Sequence, residues 1–403
     1  MKILIADKVP DDCLEALQAL GLDISFQPTL GADDLPSAVG EAQVLVVRST
    51  RVTAETIDAA EHLQMIIRGG AGTNTIDCDH AAKNAIHVAN CPGKNAVAVA
   101  ELTLGLILSL DRFIPDNVIS LRNGSWEKSR FGKGRGLLGQ TLGIIGLGRI
   151  GQEVLQRGKA FGMNCIGWSR SLTPERAREL GIEYCESVHD LCRQADVITV
   201  HVAYSDQTHH LIGTKEIAAM KPGSTIIHMA RGGVVDDKAL REAVSSGHIR
   251  AASDVYEEEP KGGKAEYNGP FQDVDGFYGT HHVGASTIQA QQAIGEEIVR
   301  IVEHWMSTGD VFNCVNRTNR QPGCGQLLVR HLDKVGVLAS VLDVVKRADL
   351  SVKEMHNTVF DNTGAATAAI TLNRPPGQEV LVSIRASCGD VLGVEWIQFD
   401  SES

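Results

Sequence analysis

The 403-residue sequence lacks several features that would mark particular classes of protein. It has no basic excess, because 50 acidic residues outnumber 38 basic ones and give a net charge of −12. That balance argues against nucleic acid or an anionic membrane as a main partner. Its most apolar run, AVAVAELTLGLILSL (96–110), is shorter than a bilayer span and contains Glu101. We therefore expect a buried or interface helix there and no membrane segment.

The sequence also lacks a signal-peptide pattern at its N-terminus and paired spacings among its cysteines. The opening MKILIADKVPDD has no charged stretch followed by an apolar one, so we expect no signal peptide. The nine cysteines form no C-x-x-C pair, which favours free thiols in a reducing compartment over disulfides or a zinc site. We therefore predict a cytoplasmic protein that binds no metal.

Apolar runs of strand length alternate with helical patterns through most of the chain. This alternation predicts two doubly wound parallel-sheet α/β domains, Rossmann-like or flavodoxin-like. The runs KILIA, VLVVR and MIIRG would belong to the first sheet, and the runs from TLGIIG to GFYGT to the second. A polar stretch, VNRTNRQPGCG (315–325), is interpreted as a linker. The pattern after it predicts a small α+β module with the order βαββαβ.

A glycine motif follows the first strand of the second series. The segment LGIIGLGRIGQEV contains G-x-G-x-x-G as Gly146, Gly148 and Gly151, between an apolar strand and an amphipathic helix. That context is typical of dinucleotide-binding proteins. Gly146 would permit the tight turn, Gly148 would let backbone N–H groups approach a pyrophosphate, and Gly151 would let helix pack on strand.

The next strand lacks the acidic residue that usually ends it. The run NCIGW ends at Trp168 and continues as Ser169 and Arg170, whereas an acid here would accept both ribose hydroxyls of NAD. Ser169 cannot repel a 2′-phosphate, and Arg170 could pair with one. The cofactor is therefore NAD or NADP, with a lean towards NADP, unless Arg170 is only a solvated loop charge.

Three ionisable residues follow predicted strands, at the edge where open α/β sheets bind ligands. Arg231 follows TIIHMA, Glu259 closes SDVYEEEP, and His282 follows GFYGTH. Hydride transfer at an alcohol carbon needs a proton acceptor that works near neutral pH, which suits histidine with a carboxylate beside it. An arginine can bind the carboxylate of a 2-oxo acid and polarise its carbonyl. These three are the predicted catalytic residues, and the adjacent His281 is the alternative to His282.

The segments that carry these residues resemble the successive signatures of D-isomer-specific 2-hydroxyacid dehydrogenases. They are GQTLGIIGLGRIGQEV, MARGGVVDDKAL, DVYEEEP and HHVGAST, with RGGAGTNTID (68–77) and NCPGKNAVAVAEL (90–102). The resemblance covers residues 1–318, and with the small C-terminal module it is nearest to the phosphoglycerate dehydrogenase branch. It implies an oxidoreductase for a small anionic 2-hydroxy or 2-oxo acid. The implied pair is 3-phosphoglycerate and 3-phosphohydroxypyruvate, at the first step of serine biosynthesis.

The resemblance also implies roles for individual residues. Arg231 would bind the substrate carboxylate and carbonyl, Glu259 would pair with His282, and Asp254 would hold the nicotinamide carboxamide. Further cofactor contacts would come from Arg149, Ile150, His201, Ala230 and His282. Further substrate contacts would come from Arg48, Arg51, Gly70, Ala71, Gly72 and Asn95. Arg48 and Arg51 would meet the substrate phosphate, unless they are solvated.

The resemblance divides the chain into three domains. Residues 1–98 and 285–318 would form a discontinuous substrate domain, residues 99–284 the dinucleotide-binding domain, and residues 324–403 an ACT-like regulatory or interaction domain. The apolar helix starting near Asn95 would lie at the interface of a homodimer or homotetramer. In the tail His331 matches serine-binding ACT domains, but Asp333 would repel a serine carboxylate.

Two other interpretations stay open. One is a glyoxylate, hydroxypyruvate or other D-2-hydroxyacid reductase with an ACT-like tail, because the serine at residue 169 resembles NADP-using reductases of that kind. The other is a binding protein that senses dinucleotides without turnover. The presence of Arg231, Glu259 and His282 argues against the second.

Overall fold

A computed structural model describes residues 1–260, 265–317, 323–361 and 363–399. They fall into two units, Met1–Asn316 and Arg317–Ser403. The first unit holds two parallel sheets, and the second holds one antiparallel sheet. Residues 318–322 of the predicted linker and residues 400–403 of the predicted tail lie outside the described residues.

The first sheet has five parallel strands in the order β2-β1-β3-β4-β5. Its elements are β1 (Lys2–Ile5), α1 (Asp11–Ala19), β2 (Asp23–Phe26), α2 (Leu35–Ala38), β3 (Val44–Val47), α3 (Ala54–Asp58), β4 (Met65–Arg68), α4 (Cys78–Lys83) and β5 (His87–Asn90). All four residues of β3 are buried, as expected for a strand covered on both faces. The strand order reverses between β1 and β3, and such a reversal opens a crevice at the carboxyl ends of the strands.

Three helices lead from the first sheet to the second: α5 (Ala96–Arg112), α6 (Ile114–Arg122) and α7 (Lys128–Phe131). The apolar helix expected near Asn95 is α5. One of its faces is buried through Ala100, Leu104 and Ile107, whereas Val97 is 47% exposed. Among the described helices, none combines the length and the hydropathy that a membrane span requires.

The second sheet has seven parallel strands in the order β12-β11-β10-β9-β6-β7-β8. Its elements are β6 (Thr141–Ile145), α8 (Arg149–Ala160), β7 (Asn164–Trp168), α9 (Pro174–Leu180), β8 (Glu183–Tyr184), α10 (Val188–Gln194), β9 (Val197–Val200), α11 (Thr214–Ala219), β10 (Thr225–His228), α12 (Asp237–Ser245), β11 (Arg250–Ser253) and β12 (Phe277–Gly279). The order reverses between β6 and β9, so the loops that follow these strands lie side by side. The prediction of parallel, Rossmann-like α/β architecture is confirmed.

A long helix, α13 (Ile288–Thr308), returns from the second sheet to the first. Its Ile294 and Ile298 pack with Cys13 and Leu17 of α1 in the core of the first sheet. The approach depends on Gly295, because a Cβ there would lie 3.0 Å from the Cβ of Cys13. The core of the first sheet is therefore built from two segments that are far apart in the sequence.

A buried carboxylate ties α13 to the segment that leads into α5. Glu297 is 3% exposed and lies 3.1 Å from Nζ of Lys94 and 2.6 Å from Nη2 of Arg300, and it accepts a 2.7 Å bond from Asn313. Burial would raise the pKa of Glu297, but the hydrogen bonds from Arg300, Lys94 and Asn313 lower it to about 2. The side chain is therefore ionised at neutral pH despite its burial.

The second unit consists of β13 (Gly325–Leu332), α14 (Val337–Arg347), β14 (Val352–Phe360), β15 (Ala365–Leu372), α15 (Gln378–Arg385) and β16 (Val391–Gln398). Its strands are antiparallel in the order β14-β15-β13-β16. Alternate residues of the central strands, such as Leu327, Val329 and Ile370, pack with Val341 of α14. The predicted βαββαβ order is observed.

Candidate active site

The glycine loop joins β6 to α8 where the strand order reverses. Gly146 has a φ of +97°, and a Cβ there would lie 2.9 Å from backbone atoms of His201 and Val202, so the turn requires glycine. A Cβ at Gly151 would overlap the carbonyl oxygen of Gly146, which explains the third glycine. Around Gly148, no described atom beyond its chain neighbours lies within 4 Å of such a Cβ. The loop therefore has a tight turn, a close helix contact and an open backbone.

These features fit the pyrophosphate of a dinucleotide. The twelve-residue helix α8 begins at Arg149 and has no side-chain cap at its N-terminus, so the N–H groups of its first turn can bind an anion. Ile150 lies in the same turn. The Arg149 guanidinium donates to the carbonyl oxygen of Pro92 and lies against Gly93.

At the end of β7, Ser169 is half-buried and Arg170 is exposed. The Arg170 guanidinium donates from Nη1 to Oε1 of Gln207 at 3.3 Å, in the loop after β9. Among the described residues, no carboxylate lies within ion-pair distance of Arg170. A positive side chain with a neutral partner therefore stands next to the position where NAD-binding sheets carry an acid.

His282 and Glu259 form a hydrogen-bonded pair. Nδ1 of His282 lies 2.8 Å from Oε2 of Glu259, whose Oε1 accepts a 3.1 Å bond from the N–H of Tyr256. Burial would raise the pKa of Glu259, but the hydrogen bond and charge of His282, with contributions from Tyr256 and Arg231, bring it below its usual value. The carboxylate is thus ionised at neutral pH and orients the ring, so Nε2 is the nitrogen that can exchange a proton with a substrate.

Asp254 fixes the loop that carries His282. Its carboxylate accepts bonds from Oγ1 of Thr280 at 2.6 Å and from the N–H groups of Val283 and Gly284 at 2.8 Å. The N–H of His282 donates to the Asp254 carbonyl at 2.8 Å, and His282 has an unusual left-handed φ of +52°. The sequence predicted only a cofactor contact for Asp254, and its positioning role was missed.

The adjacent His281 is exposed and makes no hydrogen bond to any described side chain, unlike His282. The geometry therefore favours His282 over His281 as the acid/base residue. Asn95, another predicted site residue, precedes α5 and does not cap it, so its amide is available to a ligand.

Arg231 and the glycine turn of the first sheet face each other. Arg231 follows β10 and donates from Nη1 to the carbonyl of the buried Ala230 at 2.7 Å. A Cβ on Gly72 would lie 3.1 Å from Nη2 of Arg231. The structure thus brings Arg231 to the turn Gly70-Ala71-Gly72, although they belong to different sheets.

The loop after β3 is fixed by a buried carboxylate. Oδ2 of Asp7 accepts the N–H groups of Arg48, Ser49 and Thr50 at 2.7, 3.1 and 3.0 Å. Burial would raise the pKa of Asp7, but these hydrogen bonds bring it below its usual value. The Arg48 side chain is half-buried at this edge, whereas Arg51 is exposed.

A further arginine at this edge, Arg68 at the end of β4, was missed in the sequence. Its Nε is buried and has no partner among the described residues. Burial lowers the pKa of Arg68, and the charges of Arg231 and Arg48 lower it further. Arg68 lies in RGGAGTNTID, where the glycines dominate the pattern, and nothing in that pattern links it to the other two arginines.

Two histidines with buried ring nitrogens, His201 and His228, lie at the ends of neighbouring strands in the second sheet. His201 follows β9 and His228 ends β10, and no described residue bonds either ring nitrogen of either side chain. Burial lowers the pKa of His201 to about 3 and that of His228 to about 4. Both rings are neutral at physiological pH and add no positive charge to the site.

Two other clusters bear on the predictions. In the second unit, Nδ1 of the buried His331 lies 2.7 Å from the Leu332 carbonyl and Nε2 lies 3.1 Å from Oδ1 of Asn357, a partner not expected from the sequence. In the first unit, His210, Asp236 and Glu257 place potential metal-ligand atoms within 4.8 Å of one another. The expectation that the protein binds no metal stays a prediction.

Comparisons with known proteins agree with this geometry. The model for "D-isomer specific 2-hydroxyacid dehydrogenase, NAD binding domain" matches residues 104–284. Over 321 residues the chain is 42% identical to the D-3-phosphoglycerate dehydrogenase of Methanocaldococcus jannaschii, covering 79% of this chain and 60% of that protein. It is 43% identical to the hydroxypyruvate reductase of Thermotoga maritima, covering 67% of this chain and 87% of that protein.

The fold also has solved counterparts. The TT0316 protein from Thermus thermophilus superposes with a TM-score of 0.71 at 30% identity, over 78% of this chain and 100% of that chain. A glyoxylate reductase from Paecilomyes thermophila gives a TM-score of 0.69 at 28% identity, over 78% of this chain and 98% of that chain.

Proposed function

Because the chain belongs to the family of D-isomer-specific 2-hydroxyacid dehydrogenases, we propose that it transfers a hydride between a nicotinamide dinucleotide and a D-2-hydroxy acid. The observation that carries this proposal is the 2.8 Å contact between His282 and Glu259. Both residues follow strands of the sheet whose glycine loop fits a dinucleotide pyrophosphate.

Each side chain of the site has a separate role in the proposed reaction. A bound nicotinamide would supply the hydride acceptor or donor, and residues 146–151 would hold its pyrophosphate. Nε2 of His282 takes the hydroxyl proton when the substrate is oxidised and returns it when the 2-oxo acid is reduced. Glu259 stabilises the protonated ring through Nδ1. Arg231 and the N–H groups of residues 70–72 bind the substrate carboxylate.

For the substrate, we propose 3-phosphoglycerate and 3-phosphohydroxypyruvate. The support is the 42% identity with a D-3-phosphoglycerate dehydrogenase, together with the arginines beside the glycine turn. The chain spans about 60% of the length of that relative, so the likeness concerns the shared part. The second candidate is hydroxypyruvate or glyoxylate, favoured by the 43% identity with a hydroxypyruvate reductase of which the chain covers 87%.

For the cofactor, we propose that NADPH is accepted as well as NADH. No acidic residue ends β7, and the exposed Arg170 follows Ser169. A 2′-phosphate would give Arg170 an ionic partner in place of the neutral Gln207 amide.

We propose the domain boundaries and the assembly given by the sequence resemblance. Residues 1–98 with 285–318 form the substrate domain, residues 99–284 the cofactor domain, and residues 324–403 an ACT-like module. The βαββαβ order supports the last assignment. The partly exposed apolar surface of α5 supports a homodimer or homotetramer, and nine free cysteines support a reducing, cytoplasmic location.

The proposal is tested by measuring kcat/KM for several 2-oxo acids with NADH and with NADPH. We expect the highest value with 3-phosphohydroxypyruvate and activity with both cofactors. A higher value with hydroxypyruvate or glyoxylate would move the assignment to the second candidate. If no 2-oxo acid changes the nicotinamide absorbance, the protein is a dinucleotide-binding protein without turnover.

A further inference from the structure

Tyr256 links the two loops that carry Glu259 and His282. It lies just after β11, and its N–H donates to Oε1 of Glu259 at 3.1 Å. Its hydroxyl oxygen lies 3.1 Å from the carbonyl oxygen of Ser253 and 3.0 Å from that of Thr280. Ser253 ends β11, and Thr280 lies between β12 and His282. One residue therefore contacts the Glu259 carboxylate through its backbone and the segment leading to His282 through its side chain.

The Tyr256 hydroxyl has a single hydrogen to donate and two carbonyl acceptors within reach. The Ser253 carbonyl also accepts a 2.9 Å bond from the N–H of Thr280, which continues the pairing of β11 with β12. The hydroxyl thus reinforces the junction at the carboxyl ends of these two strands. Because β11 leads to Glu259 and β12 leads to His282, the separation of the strand ends sets the separation of the two side chains.

Gly279, the last residue of β12, leaves the space that the hydroxyl occupies. A Cβ built on Gly279 would overlap the hydroxyl oxygen of Tyr256, and the next nearest atom is Cε1 of Phe277 at 3.2 Å. The φ of Gly279 is not positive, so its backbone conformation is open to other residues. The close approach of the Tyr256 hydroxyl is therefore what favours glycine at this position.

The rest of Tyr256 is also held closely by its neighbours. A Cβ built on Gly232, next to Arg231, would overlap the Tyr256 carbonyl oxygen. The centroid of the tyrosine ring lies 6.3 Å from that of Phe271 and 6.5 Å from that of Phe277, and these two rings stack on each other at 4.0 Å. Tyr256 therefore contacts the segments that carry all three predicted catalytic residues.

We propose that Tyr256 is a positioning residue whose hydroxyl holds the ends of β11 and β12 so that Glu259 and His282 stay in hydrogen-bonding contact. The inference rests on the proposed function, in which this pair moves the hydroxyl proton of the substrate. Tyr256 acts on the reaction only through the 2.8 Å contact between Nδ1 of His282 and Oε2 of Glu259. The position matters because a misplacement of about 1 Å can lower a rate roughly 100-fold.

The first test is kinetic, because Tyr256→Phe removes the hydroxyl and keeps the ring. It should lower kcat about 5- to 50-fold and change KM for the 2-oxo acid less than about 2-fold, since the proton-transfer pair loosens while Arg231 stays in place. Tyr267→Phe is the matched control. Its ring centroid lies 5.6 Å from that of Tyr256, but its buried hydroxyl donates to no described atom. An unchanged kcat in Tyr256→Phe, or an equal loss in Tyr267→Phe, would overturn the proposal.

Gly279→Ala displaces the hydroxyl of Tyr256 without removing it. Alone, this substitution should lower kcat by a factor similar to that of Tyr256→Phe. Combined with Tyr256→Phe, it should cause little further loss, because the new methyl group fits the space that the hydroxyl leaves. Additive losses would show that residue 279 acts apart from the hydroxyl and would contradict the proposed role.

A spectroscopic measurement separates this inference from the proposed function. In the neutral ring of His282, the contact with Glu259 keeps the proton on Nδ1, so the two ring nitrogens differ in their ¹⁵N chemical shifts. Protein labelled with ¹⁵N-histidine gives these shifts, and the His282 signals are assigned by their absence from His282→Asn. In Tyr256→Phe the two shifts should approach each other, because both tautomers become populated. Tyr267→Phe should leave them unchanged.

The two proposals fail in different ways in this measurement. If the wild type reduces no 2-oxo acid but the shifts converge in Tyr256→Phe, the proposed function fails and the positioning role of Tyr256 stands. If the shifts in Tyr256→Phe equal those of the wild type, the positioning role fails whatever the activity.

Discussion

The carboxyl edges of the two parallel sheets differ in whether their ionisable side chains have partners. At the second sheet, His282 is paired with Glu259, and burial keeps His201 and His228 neutral. At the first sheet, Arg68 has a buried nitrogen without a partner among the described residues and lies near two other guanidiniums. A paired group is oriented for proton transfer before any substrate arrives. Unpaired cations instead leave a positive potential that attracts an anion.

This difference implies that substitutions on the two sides of the cleft change different kinetic constants. Changes at the pair of His282 and Glu259 should act mainly on kcat, because they alter the proton transfer itself. Changes at the first sheet should act mainly on KM and on the choice of substrate, because they alter ground-state attraction.

The largest effect on activity is expected when the pair of His282 and Glu259 is disrupted. His282→Asn removes the proton acceptor and should lower kcat about 10²- to 10⁴-fold. Cofactor binding, measured by fluorescence titration, should change little because the glycine loop is untouched. His281→Asn is the matched control and should keep most of the activity. A severe loss in His281→Asn with retained activity in His282→Asn would show that the neighbouring histidine is the acid/base residue.

Most of the fold was predictable because buried parallel strands are continuous apolar runs. The strands β3, β6 and β9 all follow this rule. The sequence reading missed β2, which begins with an acidic residue and is only partly buried, and β8, which has two residues. It also missed β5, where HVAN carries a histidine and an asparagine at its ends.

The residues of the candidate site were predictable where they follow strands of a single sheet. Glu259 and His282 each follow a strand of one sheet, and strand ends of one parallel sheet share an edge. Arg68 could not be found in this way, because its importance depends on Arg231 from the other sheet. Contacts between sheets follow from how their loops pack, which neither hydropathy nor spacing encodes.

A smaller effect is expected at the outer part of the second sheet, where Arg170 has only an uncharged side chain as its hydrogen-bond partner among the described residues. Arg170→Ala should raise KM for NADPH about ten- to a hundredfold relative to NADH, because a hydrogen bond to a charged group is lost. Arg176→Ala on α9 is the control, since that exposed arginine already pairs with Glu179 at 2.7 Å. An unchanged NADPH to NADH ratio in Arg170→Ala would identify Arg170 as a solvated loop residue.

The smallest effect is expected away from both edges, at the paired carboxylate of Glu297. Glu297→Gln should lower the free energy of unfolding by about 0.5–1.5 kcal/mol at pH 7, because charge-assisted hydrogen bonds become neutral ones. The folded-state pKa of about 2 lies below the unfolded value, so this contribution is present above the unfolded pKa and is lost as the pH falls towards 2.

Denaturant unfolding at pH 7 and pH 3 measures this contribution. The difference between wild type and Glu297→Gln should shrink at the lower pH. Glu296→Gln is the matched control, because Glu296 is the exposed neighbour on the same helix. Equal destabilisation by both substitutions at pH 7 would contradict a specific role for Glu297.

The return of α13 to the first sheet has a consequence for synthesis on the ribosome. The helix begins at Ile288, roughly 200 residues after β5 ends at Asn90, which corresponds to about 10–40 s of translation at ~5–20 residues per second. Throughout that interval, the apolar face of α1 around Cys13 and Leu17 lacks the contacts that Ile294 and Ile298 later provide. The second sheet is continuous in sequence and can close meanwhile, so the first sheet, although it is made earlier, completes its core after the second sheet.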